Sequence, residues 1–171
     1  DQAVFDQQCA LLKHLALEPK RMGAVGTGAA SKLALNQLIA SLTYGYSLAL
    51  RLIQASGLDV ERFMEVLRPS ALYAPTVDKK LKRMLTHDYS DPNFSTSLLR
   101  KDLNLFLREA GLAGLDAGGL EGLACLLMRA EGTDLDAGDY SALHELTAAD
   151  PSFNLDTSGS VPSPDRQGHT P

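Results

Sequence analysis

The stretch GAVGTGAASKLALNQLIASLTYGYSLALRLIQASG, residues 23–57, limits the possible folds more than any other part of the chain. Its only charged side chains are Lys32 and Arg51, and residues 33–50 carry none. That run approaches the length of a membrane span, roughly 17–25 residues. It also holds Asn36, Gln37, Ser41, Thr43, Tyr44, Gly45, Tyr46 and Ser47, and no other segment resembles it. The pattern predicts one very long helix, Gly28 to Ser56, buried on most sides inside a soluble domain, with Gly57 ending it. No membrane partner is expected.

The rest of the chain follows helical spacing. Over residues 2–16, Val4, Phe5, Cys9, Leu11, Leu12 and Leu15 fall at the intervals of an amphipathic helix. The short piece Met22–Val25 suits a single strand, so residues 1–25 read as a helix-strand remnant of another unit. Asp59 caps a helix over 60–67, and another runs from Pro75 to Leu85 with Lys79, Lys80, Lys82 and Arg83 on a solvated face. Ser95 or Thr96 caps the next, whose stripe of Leu98, Leu99, Leu103, Phe106 and Leu107 ends at Gly111. Helices over 120–130 and 140–146 complete a body, residues 26–150, with no alternating period after residue 26. The expected class is all-α, a bundle around one long helix. Residues 151–171 are rich in Ser, Pro, Asp, Gly and Thr, the composition of a disordered tail.

Composition removes several function classes. The net charge is -5, and the basic run at 79–83 has no interleaved aromatics, so no nucleic-acid partner is expected. Cys9 and Cys125 stand far apart among apolar neighbours and read as buried free thiols in a reducing, cytoplasmic compartment. Nothing in the first residues resembles a signal peptide. None of the four histidines has metal-ligand spacing, so no metal is expected, and His144 reads as a surface or packing residue.

Two places invite chemistry. Gly23, Gly26 and Gly28 form neither a P-loop nor a dinucleotide fingerprint. They let the chain turn at a helix entrance, and the bare N–H groups there also favour an anion such as a carboxylate. Lys32 lies in the first turns of that helix with no carboxylate nearby in sequence. If desolvated there, it should have a lowered pKa suited to proton transfer. Asn36, one turn on, shares its face. A solvated helix face is the ordinary alternative for this pair, as it is for Arg100, Lys101 and Asp102 among their leucines.

Together these motifs resemble the β-hydroxyacid dehydrogenase family, the group of 3-hydroxyisobutyrate dehydrogenase, tartronate semialdehyde reductase and glyoxylate/succinic semialdehyde reductases. Gly26, Gly28, Lys32 and Asn36 match its Gly-x-Gly-x-x-x-Lys-x-x-x-Asn motif. Phe94 stands seven residues before Lys101-Asp102-Leu103, as in its second motif, and "SGLDVERFMEVL" looks like the short helix between them. The resemblance covers roughly residues 1–148 and implies a fold like the C-terminal domain of 6-phosphogluconate dehydrogenase. It implies Lys32 as general acid and base, Asn36 and Gly28 as substrate-binding residues, and Lys101 and Phe94 beside a bound NAD or NADP. It further implies a small hydroxy-acid or semialdehyde substrate and a homodimer formed through the helical domain.

Departures from the family pattern also matter. The family's Rossmann fingerprint and its Ser-Gly-Gly substrate loop are absent, so the chain alone is expected neither to bind NAD(P) well nor to turn over. Leu35 occupies the histidine position of 6-phosphogluconate dehydrogenases, and imine reductases typically lack the lysine, which disfavours both. A non-catalytic all-α dimerisation module on the same scaffold is the alternative.

Overall fold

The computed structural model describes residues 1–148; the expected tail, 151–171, lies outside the described residues. In chain order the helices are α1 (Gln2–Leu12), α2 (Thr27–Ala55), α3 (Val60–Leu67), α4 (Pro75–Thr86) and α5 (Thr96–Leu112). Then come α6 (Gly118–Met128), α7 (Asp134–Ala137), a 3-10 turn (Tyr140–Ala142) and α8 (Leu143–Leu146). No strand forms among the described residues, and the one isolated bridge pairs Ser95 with Asp139.

The strand expected at Met22–Val25 is instead bends and turns. A lone strand leaves its N–H and C=O groups unpaired without a neighbour. Here the Thr27 hydroxyl and amide donate to the Ala24 carbonyl at 2.8 and 3.1 Å, folding the segment into the entrance of α2. Gly26, with φ of 99°, is the N-cap, a conformation that side chains rarely adopt.

Capping sets several boundaries as the sequence predicts, whereas α6, expected over 120–130, forms over Gly118–Met128 with no side-chain cap. Asp59 accepts from the Arg62 amide at 3.0 Å and Ser95 from the Leu98 amide at 3.3 Å. Gly57 follows α2 with φ of 74°. Pro75 opens α4 and His87 closes it in the left-handed region.

Helix α2 serves two core clusters. Ala40 packs with Leu99, Leu103, Leu123, Leu127 and Leu143, and Leu50 packs with Met64, Leu67, Val77, Leu81 and Met84. Its fully buried positions are only Ala40, Thr43, Ser47 and Leu50, a single stripe at helical spacing. The expectation of burial on most sides is thereby corrected, because the body packs against one face and leaves Leu35 62% and Leu52 70% exposed.

Polar pins hold the C-terminal elements on this frame. The Arg51 guanidinium donates to the His144 carbonyl at 2.5 and 3.2 Å and to the Thr147 hydroxyl at 2.8 Å, tying α2 to α8. Lys80 of α4 donates to the buried Asp139 carboxylate at 2.6 Å, whose other oxygen accepts from the Ser141 amide and hydroxyl. The same ammonium lies 4.9 Å from the Tyr140 ring centre, so Lys80 is no part of a free basic face.

The cysteines do not lie where their apolar neighbours suggest. Cys9 is half-buried and Cys125 exposed. None of α1 is buried, and Cys125 lies off the face on which α6 buries Leu123, Ala124 and Leu127. His144 is buried, so its packing role holds and its surface role does not.

Candidate active site

At the N-terminal end of α2, three side chains from two helices meet. Lys32 Nζ lies 2.8 Å from Asp102 Oδ2, and the Asn36 amide donates to the same oxygen at 2.7 Å. The i, i+4 spacing of α2 puts Lys32 and Asn36 on one face, and α5 brings Asp102 against both. Lys32 therefore has its carboxylate partner, 70 positions away in the chain.

Exposure divides the roles. The Lys32 side chain is 60% exposed, whereas Asp102 is 2% exposed. The desolvated lysine expected from its neighbours is thus corrected: its ammonium faces solvent on one side and a buried carboxylate on the other. Burial alone would push the Asp102 carboxyl up. Hydrogen bonds from Lys32 and Asn36, with the charges of Lys32 and Lys101, outweigh it and hold the group below the ordinary carboxylate range. Asp102 is thus ionised at neutral pH, an anchor behind an accessible lysine. Its Oδ1 has no hydrogen-bond partner and lies 3.7 Å from Lys101 Nζ.

The remaining predicted residues lie on α2, before α5 and on α5. Lys101 adjoins it, with a side chain 60% exposed. Gly28 is in the first turn of α2, where a Cβ would meet no atom within 4 Å, so its face is open. Phe94 precedes α5, half-buried, with its ring 5.9 Å from that of Tyr140. The structure brings Lys32, Asn36, Asp102 and Lys101 together and packs Phe94 against Tyr140.

Asp102 is the residue that sequence reasoning passed over as part of a charged face. A signal was available: it sits in phase with the apolar stripe of Leu99, Leu103 and Phe106, where an acid requires a partner. What the sequence could not supply was the identity of that partner.

Chemically, the cluster can move a proton at Lys32 Nζ while Asp102 and Asn36 fix its position. With Lys101 and the α2 entrance it presents cationic and N–H character suited to an anionic ligand. No group of three or more potential metal ligands occurs among the described residues. No helix among them is long and apolar enough to cross a membrane.

Residues 26–147 match the family described as the NAD-binding domain of NADP-dependent 3-hydroxyisobutyrate dehydrogenase. A mitochondrial 3-hydroxyisobutyrate dehydrogenase-like protein of Arabidopsis thaliana is 35% identical over 99 residues, 58% of this chain and 29% of that protein. An uncharacterized oxidoreductase of Shewanella frigidimarina is 29% identical over 110 residues, 64% of this chain and 38% of the other. Among solved structures, 3-hydroxyisobutyrate dehydrogenase from Mycobacterium tuberculosis with L-serine superposes with a TM-score of 0.78 at 22% identity, covering 87% of this chain and 53% of that one. The enzyme of the same name from Salmonella typhimurium gives 0.75 at 18% identity, covering 85% and 51%. This chain thus spans about a third of the curated relatives and half of the solved chains, which share its fold.

Proposed function

Because this chain belongs to the NAD-binding domain family of NADP-dependent 3-hydroxyisobutyrate dehydrogenase, we propose that it is the lysine-bearing helical part of a cytoplasmic NAD(P)-dependent dehydrogenase. Its substrate is a small 3-hydroxy acid or the matching semialdehyde. The observation that carries this reading is the Lys32–Asp102–Asn36 cluster, an accessible amine fixed by a buried anion.

Lys32 is the general acid and base. As the amine it accepts the hydroxyl proton during oxidation, and as the ammonium it returns a proton to the alkoxide oxygen during reduction. Asp102 and Asn36 hold Nζ in one place, so the proton moves along a fixed line. The substrate carboxylate lies at the α2 entrance beside Gly28, where the helix N-terminus favours an anion. Lys101 and Phe94 hold the cofactor, and the exposed ammonium of Lys101 suits an anionic dinucleotide. When bound, the nicotinamide supplies or accepts the hydride.

Residues 1–25 belong to the end of a Rossmann domain, residues 26–150 form the substrate and dimerisation domain, and most of the cofactor site lies in the preceding domain. What supports this division is the apolar surface of the first segment. Val4, Leu11, Leu15, Leu17, Met22 and Val25 are 55–104% exposed and need a cover.

The test is turnover by the polypeptide that carries the preceding domain. It is offered 3-hydroxyisobutyrate, tartronate semialdehyde and succinate semialdehyde with both cofactor forms, oxidised or reduced as each direction requires, at 340 nm. Turnover of at least one is expected. No turnover of any, in a folded protein with the cluster intact, replaces the enzyme with a non-catalytic dimerisation module.

A further inference from the structure

Tyr140 stands where three parts of the chain meet. Its ring centre lies 5.9 Å from that of Phe94, with the two planes tilted by 59°. Thr76 and Lys80 share one face of α4, a turn apart, and both reach the same ring. The Thr76 and Tyr140 hydroxyls share a hydrogen bond at 3.2 Å, and the Lys80 ammonium lies 4.9 Å from the ring centre. That ammonium is itself fixed by the buried Asp139 carboxylate at 2.6 Å. Phe94 is only half-buried, so its contact with Tyr140 leaves part of it accessible.

The main chain is stitched at the same place. Residues 88–95, between α4 and α5, form no helix and only the isolated bridge at Ser95. The Tyr140 amide donates to the Phe94 carbonyl at 3.0 Å, and the Asp139 amide to the Tyr89 carbonyl at 2.8 Å. The Thr96 amide donates to the Gly138 carbonyl at 2.9 Å. Tyr140 therefore holds Phe94 by backbone and ring together.

We propose that Tyr140 is a positioning residue for the cofactor: it sets the Phe94 ring against which the nicotinamide cofactor rests, and Thr76 and Lys80 set Tyr140. The inference rests on the reading of Phe94 as a cofactor-binding residue and names what makes that ring a fixed wall.

Three observations favour positioning over plain packing. An apolar side chain would fill the volume as well, without the desolvation that an ion pair at Lys80 and Asp139 costs. A tilted aromatic pair, held at the hydroxyl and beneath a cation, has a defined orientation that an aliphatic contact lacks. Phe94 also leads directly into the Ser95 cap of α5, and Lys101 lies about 9 Å further along that helix. One scaffold thus carries both residues expected beside the cofactor. A ring already held loses no rotational freedom when the ligand arrives, so its contact is gained in full.

The experiment is titration of NADH and of NADPH, followed by nicotinamide fluorescence, into the polypeptide that carries the preceding domain. Tyr140→Leu removes the ring pair and should weaken the better-bound cofactor about 3–10-fold. Tyr140→Met, flexible enough to fill the same space, makes the same test where Tyr140→Leu does not fold. Tyr140→Phe keeps the ring and should stay within about twofold of the wild type. Phe94→Leu should weaken binding at least as much as Tyr140→Leu, and combining the two should weaken it no further, because they act as one unit. Met64→Ala, in the other core cluster, lowers the melting temperature and should leave cofactor affinity unchanged. Wild-type affinity in the Leu and Met variants, or losses at Tyr140 and Phe94 that add in full, overturn the positioning role alone. A Tyr140→Phe protein as weak as Tyr140→Leu does the same. Unchanged affinity in Phe94→Leu, or a wild type that binds neither cofactor, overturns the cofactor reading of Phe94 and this inference with it.

Discussion

Acidification from pH 7 to pH 5 should destabilise this chain chiefly through one residue, His144. The residue is 1% exposed and its Nδ1 has no hydrogen-bond partner. Burial, and then the Arg51 cation, depress the imidazole from 6.5 to about 4. The sign follows from proton counting. Below pH 6.5 the unfolded chain takes up a proton at this position and the folded chain does not, so stability falls as pH falls, until about pH 4. The full shift corresponds to about 3 kcal/mol, and the interval from pH 7 to pH 5 to about 2 kcal/mol. Carboxylates contribute lower down: Glu145, opposed by burial but held low by Tyr89 and His87, loses its contribution only in the carboxylate range. Urea unfolding at pH 7, 6 and 5 measures the slope, and His144→Leu, which cannot protonate and removes the unpaired nitrogen, should flatten it by that amount. Equal slopes for wild type and variant would refute the reasoning.

Other perturbations probe single contacts. Lys80→Met leaves the fully buried Asp139 carboxylate without its cation and should cost about 3–5 kcal/mol, a melting shift of about 10 °C by calorimetry. Adding Asp139→Asn should recover part of it. Asp102→Asn removes the anchor of Lys32; we expect about 1–3 kcal/mol less stability by urea unfolding, because the lysine side is solvated, and a kcat reduced at least tenfold. Gly26→Ala forces a side chain to φ of 99° and should cost about 1–2 kcal/mol, whereas Gly122→Ala, in mid-α6 with open space at its Cβ, should gain up to about 1 kcal/mol.

Much of the fold was legible because local signals and tertiary need agree. Asp59, Ser95 and Gly57 mark helix ends through contacts made within a few residues, so reading them required no partner. The leucine stripe of α5 likewise announces its buried face at Leu99 and Leu103, though Leu98 of the same stripe is 44% exposed. Misjudgements arose where the deciding partner is remote. Met22–Val25 has strand composition, yet strand formation depends on a neighbouring edge. The apolar run of α2 suggested burial on most sides, but composition does not say how many neighbours a helix has. Four-residue α7 is too short to show a period, and only its Thr133 cap and the acids of its first turn, Asp134 and Asp136, mark it locally. At the site, Lys32 and Asn36 were readable from spacing on one helix. Asp102 was not, since its meaning comes from a contact 66 and 70 positions distant.

The most direct measurement is the pH–rate profile of Lys32→Ala in the polypeptide that carries the preceding domain, against the wild type with the same substrate. If Lys32 moves the proton, kcat falls about 10²–10⁴-fold. The ionisation belonging to the lysine also vanishes from the profile, while the melting temperature stays within a few degrees. A folded Lys32→Ala protein with undiminished kcat and the same profile would contradict the assignment of proton transfer to this residue.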